Sequence, residues 1–295
     1  MSELIARLRT LRAEAGRVSA PAAGTPRQPG QRTSPHLHAA AGAHVAVPQR
    51  ALSPELRRLL QRHAQLKHGP TTLSSSDRAV PGIELAPGLR YTELLVDWLK
   101  PPTIIDATFA RVEPVPHDRL LHFDTETTGL AGGTGTRAFM IGAADWIDGR
   151  FRVRQLTITS MAAEPAMLRT FAGWISDDSV LVSYNGKCYD APLLATRYRL
   201  ARLPNPLLGL GHIDLLHPVR RHWKGQWENC RLATAERQLL GVVREDDLPG
   251  AEAPAAWLTY LRGGSARNLR RVAAHNAQDL KSLAGVLVHM AMMPR

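Results

Sequence analysis

The alternation of apolar and polar positions divides the chain near residue 119. Residues 119–126 (RLLHFDTE) put Leu121 and Phe123 on one side and Asp124 and Glu126 on the other, which predicts a strand. Residues 137–147 and 151–159 predict two more strands, with connections short enough for an antiparallel meander. Residues 164–175 space Met167, Leu168, Phe171, Trp174 and Ile175 as one helix face. A short apolar strand follows at 179–185, then a helix at 189–201, a short strand at 211–216 and a helix at 231–240. The last helix is expected over about 266–290, capped by Ser265 after Gly263–Gly264. Its buried stripe is Leu269, Val272, Ala273, Leu280, Leu283, Leu287 and Met290. Three antiparallel strands followed by alternating helices and strands predict an α/β domain with a mixed β-sheet over 119–292.

Upstream the pattern is poorer. Residues 2–17 predict a short amphipathic helix, with Leu4, Ile5, Leu8 and Leu11 on one face. Residues 18–50, rich in Ala, Pro, Gly, Ser and His, predict a disordered basic linker. Residues 51–66 predict a helix starting after Ser53 with Pro54 at its first position. The many Pro and Gly breaks of 67–118 predict an irregular segment, so 51–118 reads as a helix plus an irregular stretch.

The chain has 295 residues, 44% of them hydrophobic, an ordinary fraction for a globular protein. No run approaches the ~18 apolar residues of a membrane helix, and Arg residues interrupt what would be a secretory signal. Two cysteines, Cys188 and Cys230, cannot build a disulfide framework or a four-thiolate zinc site. Two free thiols in a reducing cytoplasm are expected. The net charge is +11, which favours a polyanionic partner such as nucleic acid. Residues 1–50 hold seven Arg and two Glu, and residues 119–295 hold 22 basic and 16 acidic groups. The domain is therefore basic by itself.

The chemistry concentrates at Leu121–Leu130, LHFDTETTGL. Side chains two apart on a strand share a face, so Asp124 and Glu126 project together and repel. A divalent cation relieves that repulsion, and oxygen ligands suit Mg²⁺ or Mn²⁺. A bare Asp-x-Glu pair is equally a polar face at a sheet edge, and its neighbours decide. Phe123-Asp124-x-Glu126-Thr127-Thr128-Gly129-Leu130 resembles the first motif of the DEDD 3′–5′ exonucleases, which have a ribonuclease-H-like fold. The continuation Ala131-Gly132-Gly133-Thr134-Gly135-Thr136-x-Ala138-Phe139 resembles the YprB-type ribonuclease-H-like domain. Later stretches agree in order: Tyr184-Asn185-Gly186-Lys187-x-Tyr189-Asp190, Asp214-Leu215-Leu216-His217, Asp247-Leu248-Pro249-Gly250 and His275-Asn276-x-x-Asp279. The resemblance covers about 119–290.

The residues support it independently. Asp190 follows a strand and an Asn-Gly turn, where α/β proteins place their sites, although a helix cap would look the same. His275 and Asp279 lie four apart on the last helix and share a face, which also suits a solvent-facing hydrogen bond. The resemblance implies Asp124, Glu126, Asp190 and Asp279 as ligands of two divalent cations, with His275 orienting or deprotonating the water. The His type is that of one branch of the superfamily, and the four-residue spacing to the last Asp is that of the branch using Tyr. Thr127, Gly129, Leu130 and Asn185 are candidate substrate-binding positions.

Weaker signals are His212-x-Asp214 as a second metal pair or a plain strand end, Trp223 and Trp227 as base-stacking or core residues, and Arg220, Arg221, Lys224, Arg244, Arg270 and Arg271 as phosphate contacts or solvated surface groups. The expectation is a cytoplasmic, metal-dependent 3′–5′ exonuclease acting on DNA or RNA. Its rivals are a non-catalytic nucleic-acid-binding module and a structure-selective endonuclease on the same fold.

Overall fold

The computed structural model describes residues 77–97, 101–129, 134–245 and 247–294. The helices expected over 2–17 and 51–66, the linker over 18–50 and the candidate Leu130 lie outside the described residues.

The strands are β1 (Ile83–Ala86), β2 (Leu89–Val96), β3 (Ile104–Ile105), β4 (Val115–Pro116), β5 (Leu120–Thr127), β6 (Ala138–Ile147), β7 (Arg150–Ile158), β8 (Val180–Ser183) and β9 (Gly211–Asp214). The helices are α1 (Glu164–Ala172), α2 (Asp190–Leu200), α3 (Leu216–Trp223), α4 (Leu232–Ala235), α5 (Ala253–Leu261) and α6 (Arg267–Ala291). Seven strands form one mixed sheet in the order β1-β2-β7-β6-β5-β8-β9. β5, β6 and β7 are an antiparallel meander, and β8 and β9 add in parallel beyond β5. This is the expected ribonuclease-H-like α/β sheet flanked by helices.

Within the expected irregular segment 67–118, residues 83–96 are regular instead. β1 and β2 form a hairpin, and β2 pairs antiparallel with β7 from Leu89↔Ile158 to Val96↔Phe151. Two of the Pro and Gly that read as breaks form the two-residue turn Pro87–Gly88, with Gly88 at φ 76°. Such residues punctuate a hairpin as readily as they end structure. The sheet therefore begins well before residue 119. β3 and β4 form a separate two-stranded ladder.

Two apolar clusters sandwich the sheet. One joins Leu120, Ala144, Phe151, Val153 and Val182 with Leu280, Leu283 and Leu287 of α6. The other joins Phe123, Phe139, Ile141, Leu168, Phe171, Tyr198 and Trp257 with Leu269 and Val272. α6 contributes to both, as its periodic stripe predicts. Ser265 Oγ accepts the Arg267 N–H at 3.1 Å, although Ala266 is the boundary residue of the helix. α4 runs directly into a π-helical turn, Glu236–Leu240, which ends at Gly241 with φ 67°.

One glycine sets how closely α6 approaches. Gly142 lies opposite Asp124 in the β5–β6 register. A Cβ there would stand 2.0 Å from Asn276 Oδ1 and 2.9 Å from Leu280 Cδ1. Glycine inside an apolar strand marks such an approach.

Candidate functional site

β5 carries Asp124 and Glu126 out of the middle of the sheet. Antiparallel β6 on one flank and parallel β8 on the other hold its backbone. Asp190 opens α2, just after β8. The turn between them is fixed by Asp214 at the end of β9, which accepts the backbone N–H of Asn185 at 2.7 Å, of Lys187 at 3.1 Å and of Leu216 at 3.1 Å. Asn185 takes a left-handed conformation, φ 70°, which Asn tolerates well. Gly186 has no side chain where a Cβ would meet Ser183 Oγ at 2.5 Å and Asp190 Oδ2 at 3.3 Å.

α6 supplies the remaining groups. Asn276, fully buried, donates from Nδ2 to Asp124 Oδ2 at 2.8 Å. Its Oδ1 accepts from Gln155 Nε2 at 2.8 Å. His275 Nε2 lies 3.4 Å from Asp279 Oδ2, and His275 Nδ1 lies 2.7 Å from Asp247 Oδ1. Arg244 pairs with Asp279 Oδ1 and, at 2.6 Å, with Glu236 Oε2. Thr125 donates its hydroxyl to Asp190 Oδ1.

The electrostatics show that the four acids converge. Burial pushes the Asp124 carboxyl well above the usual carboxylate range, and Asp279, Asp190 and Glu126 push it further against the Asn276 hydrogen bond. Glu126 is raised to about 8, first by burial and then by Asp279, Asp190 and Asp247, with His275 opposing. Asp190 is raised to about 6 by burial, against the Thr125 hydrogen bond. Burial alone would lower His275, but the Asp247 hydrogen bond and the Asp279 charge outweigh it and lift the imidazole to about 9. Carboxylates that raise one another in this way gain by sharing a cation. Among the described residues, no three His, Cys, Asp or Glu side chains are arranged so that they could hold a metal ion. Asp124, Asp190 and Asp279 are each bonded to a protein donor instead.

Asp124, Glu126, Asp190, His275 and Asp279 are thus brought together. Thr127 donates its hydroxyl to Gly129 O at 2.9 Å, and a Cβ at Gly129 would meet nothing within 4 Å. His212 and Asp214 do not form a metal pair: His212 Nε2 bonds Ser183 Oγ at 2.7 Å, and Asp214 is spent on the backbone. Trp223, buried, stacks on Trp227 with ring centres 4.7 Å apart. Arg270 bonds Ala79 O and Asp77 rather than standing free. Arg244, expected at the surface, is one-tenth exposed and inside the acid cluster.

Periodicity missed Asn276, Arg244, Asp247 and Glu236 as members of the site. A signal existed for Asn276, a polar group packed against a glycine in an apolar strand. Polar Ser282, on the buried stripe of α6, likewise marks a buried partner: it donates to Glu236 Oε2 at 2.6 Å.

The RNase_H superfamily model matches residues 121–291, more than half of the chain. The chain is 38% identical over 175 residues to YprB of Bacillus subtilis (strain 168), a match covering 59% of this chain and 42% of that protein. It thus spans less than half the length of that relative. A product-bound structure of exonuclease I aligns over 53% of this chain and 46% of its own, at 13% identity and a TM-score of 0.35. No helix among the described residues is long and apolar enough to cross a membrane. With a mixed α/β sheet and a family match running from β5 to the end of α6, the chain belongs to the RNase_H superfamily.

Proposed function

We propose that the protein is a metal-dependent nuclease, a 3′–5′ exonuclease that hydrolyses phosphodiester bonds of DNA or RNA. The observation that carries this reading is the convergence of Asp124, Glu126, Asp190 and Asp279, whose first member is lifted by burial and by the other three. The donor set is all carboxylate oxygen, which fits Mg²⁺ or Mn²⁺. Two such cations supply, when bound, activation of the attacking water and stabilisation of the leaving 3′ oxygen. In this reading Asp124, Glu126, Asp190 and Asp279 are the metal ligands. His275, its Nε2 toward Asp279 and its Nδ1 toward Asp247, orients the water or accepts its proton. Thr127, Gly129, Leu130 and Asn185 meet the terminal nucleotide. The excess of basic over acidic residues in 119–295 supports a polyanionic substrate. The two cysteines are free, which suits the reducing cytoplasm where we place the protein.

The test is Asp124→Asn. It retains an oxygen for Asn276 but removes one of the four acids that raise one another. We expect the metal-free variant to melt no lower than the wild type, to gain nothing from millimolar Mn²⁺, and to lose cleavage altogether. A wild-type melting curve indifferent to both Mn²⁺ and Mg²⁺ would contradict the reading.

A further inference from the structure

Arg244 is not used by the reaction as argued so far, yet it is among the most tightly held side chains of the site. Its Nε lies 3.0 Å from Glu236 Oε1 and its Nη2 lies 2.6 Å from Glu236 Oε2, a two-pronged grip. Nη2 also meets Asp279 Oδ1. Glu236 is 1% exposed and sits at the start of the π-helical turn. It is tied back to α6 by the Ser282 hydroxyl. Asp279 and Ser282 are one turn apart on that helix, so Ser282, Glu236, Arg244 and Asp279 close a ring. Both ends of the ring stand on one rigid element.

We propose that Arg244 is a positioning residue for Asp279: the ring fixes one carboxylate oxygen and leaves Oδ2 for a divalent cation. The proposal rests on the metal-site reading above. The anchor is stronger than the load, because Glu236 takes two donors of the guanidinium and Asp279 one. Arg244 therefore sets where Asp279 points, and a planar fork is needed to span both acids. Groups that orient a ligating carboxylate typically change metal affinity by 10–100-fold when removed.

The experiment is Mn²⁺ calorimetry on the full chain without nucleic acid, for wild type, Arg244→Lys, Glu236→Gln and Ser282→Ala. Arg244→Lys keeps the charge and loses the fork. It should bind Mn²⁺ about 10–100-fold more weakly, with affinity for an end-labelled single strand in metal-free buffer unchanged. Ser282→Ala and Glu236→Gln should weaken Mn²⁺ in the same direction, and they decide the matter if Arg244→Lys does not fold. Mn²⁺ affinity unchanged or tightened across the folded variants would overturn the ring's role. So would a loss of strand affinity with Mn²⁺ affinity intact, which would make Arg244 a phosphate contact. A wild type that takes up no Mn²⁺ would instead remove the metal site itself, and this proposal with it.

Discussion

His275 shows how much one side chain owes to its neighbours. A general base must be neutral to accept a proton, and the Asp247 and Asp279 carboxylates hold the imidazole protonated up to about 9 in the metal-free protein. Bound cations act in the opposite direction. Substitution is the cleaner probe. His275→Ala should lose roughly 10²–10⁴-fold in rate while Mn²⁺ calorimetry still shows uptake. His275→Tyr should recover part of that loss, because the four-residue spacing is the one at which Tyr-using relatives place their base; His275→Phe should not. Wild-type rates from the Ala variant under saturating Mg²⁺ would leave His275 as a structural partner of Asp247. At this scale the sequence was legible where chemistry repeats along a strand or helix: Asp124 with Glu126, and His275 with Asp279. It was not legible where partners come from distant loops. Arg244 and Asp247 lie 31 and 28 residues before the side chain they face, with no period to announce them.

At the scale of elements, the site depends on the contact between α6 and β6. Gly142 leaves room for Asn276, which in turn bonds Asp124. Gly142→Ala should therefore destabilise the fold by about 1–3 kcal/mol, the usual range for an overpacked core. It should also impair cleavage beyond what the stability loss explains. Pairing it with Asn276→Ala removes the nearer clash and should restore much of the stability but not the activity. Urea unfolding of the two variants checks this, and an indifferent Gly142→Ala would show that the helix gives way easily. The strands from β5 to β9 and the helices α1, α2, α4 and α6 were legible from their apolar runs and periods, whereas α3 and α5 were not read from the sequence. The hairpin β1–β2 was not, because four of its residues, Ile83, Leu85, Leu94 and Leu95, leave large apolar side chains exposed. Alternation carries little information where neither face is fully covered. The turn signal Pro87–Gly88 was present, and it was read as a break.

For the whole molecule, acid sensitivity follows from histidines away from the acids. His122 is fully buried against Trp146 and Phe151, and burial lowers it to about 4. His212 is lowered to about 4 for the same reason. The unfolded chain takes up these protons near 6.5, the folded chain only near 4. Their contribution is thus fully present above pH 6.5 and is lost as pH falls toward 4, by up to about 1.4 kcal/mol per pH unit for each group. His122→Phe should flatten that slope in urea titrations between pH 6.5 and 4.5, and an unchanged slope would place the acid sensitivity elsewhere. At this scale the proposed function is the removal of nucleotides from a strand end by a basic domain. The direct measurement is digestion of 5′-labelled DNA and RNA strands by the purified full chain with Mn²⁺ or Mg²⁺, resolved by length over time. The account predicts a ladder that shortens one nucleotide at a time from the 3′ end, and that is absent with chelator or with Asp124→Asn. Internal cuts without a ladder, or strands bound but left intact at saturating metal, would contradict it.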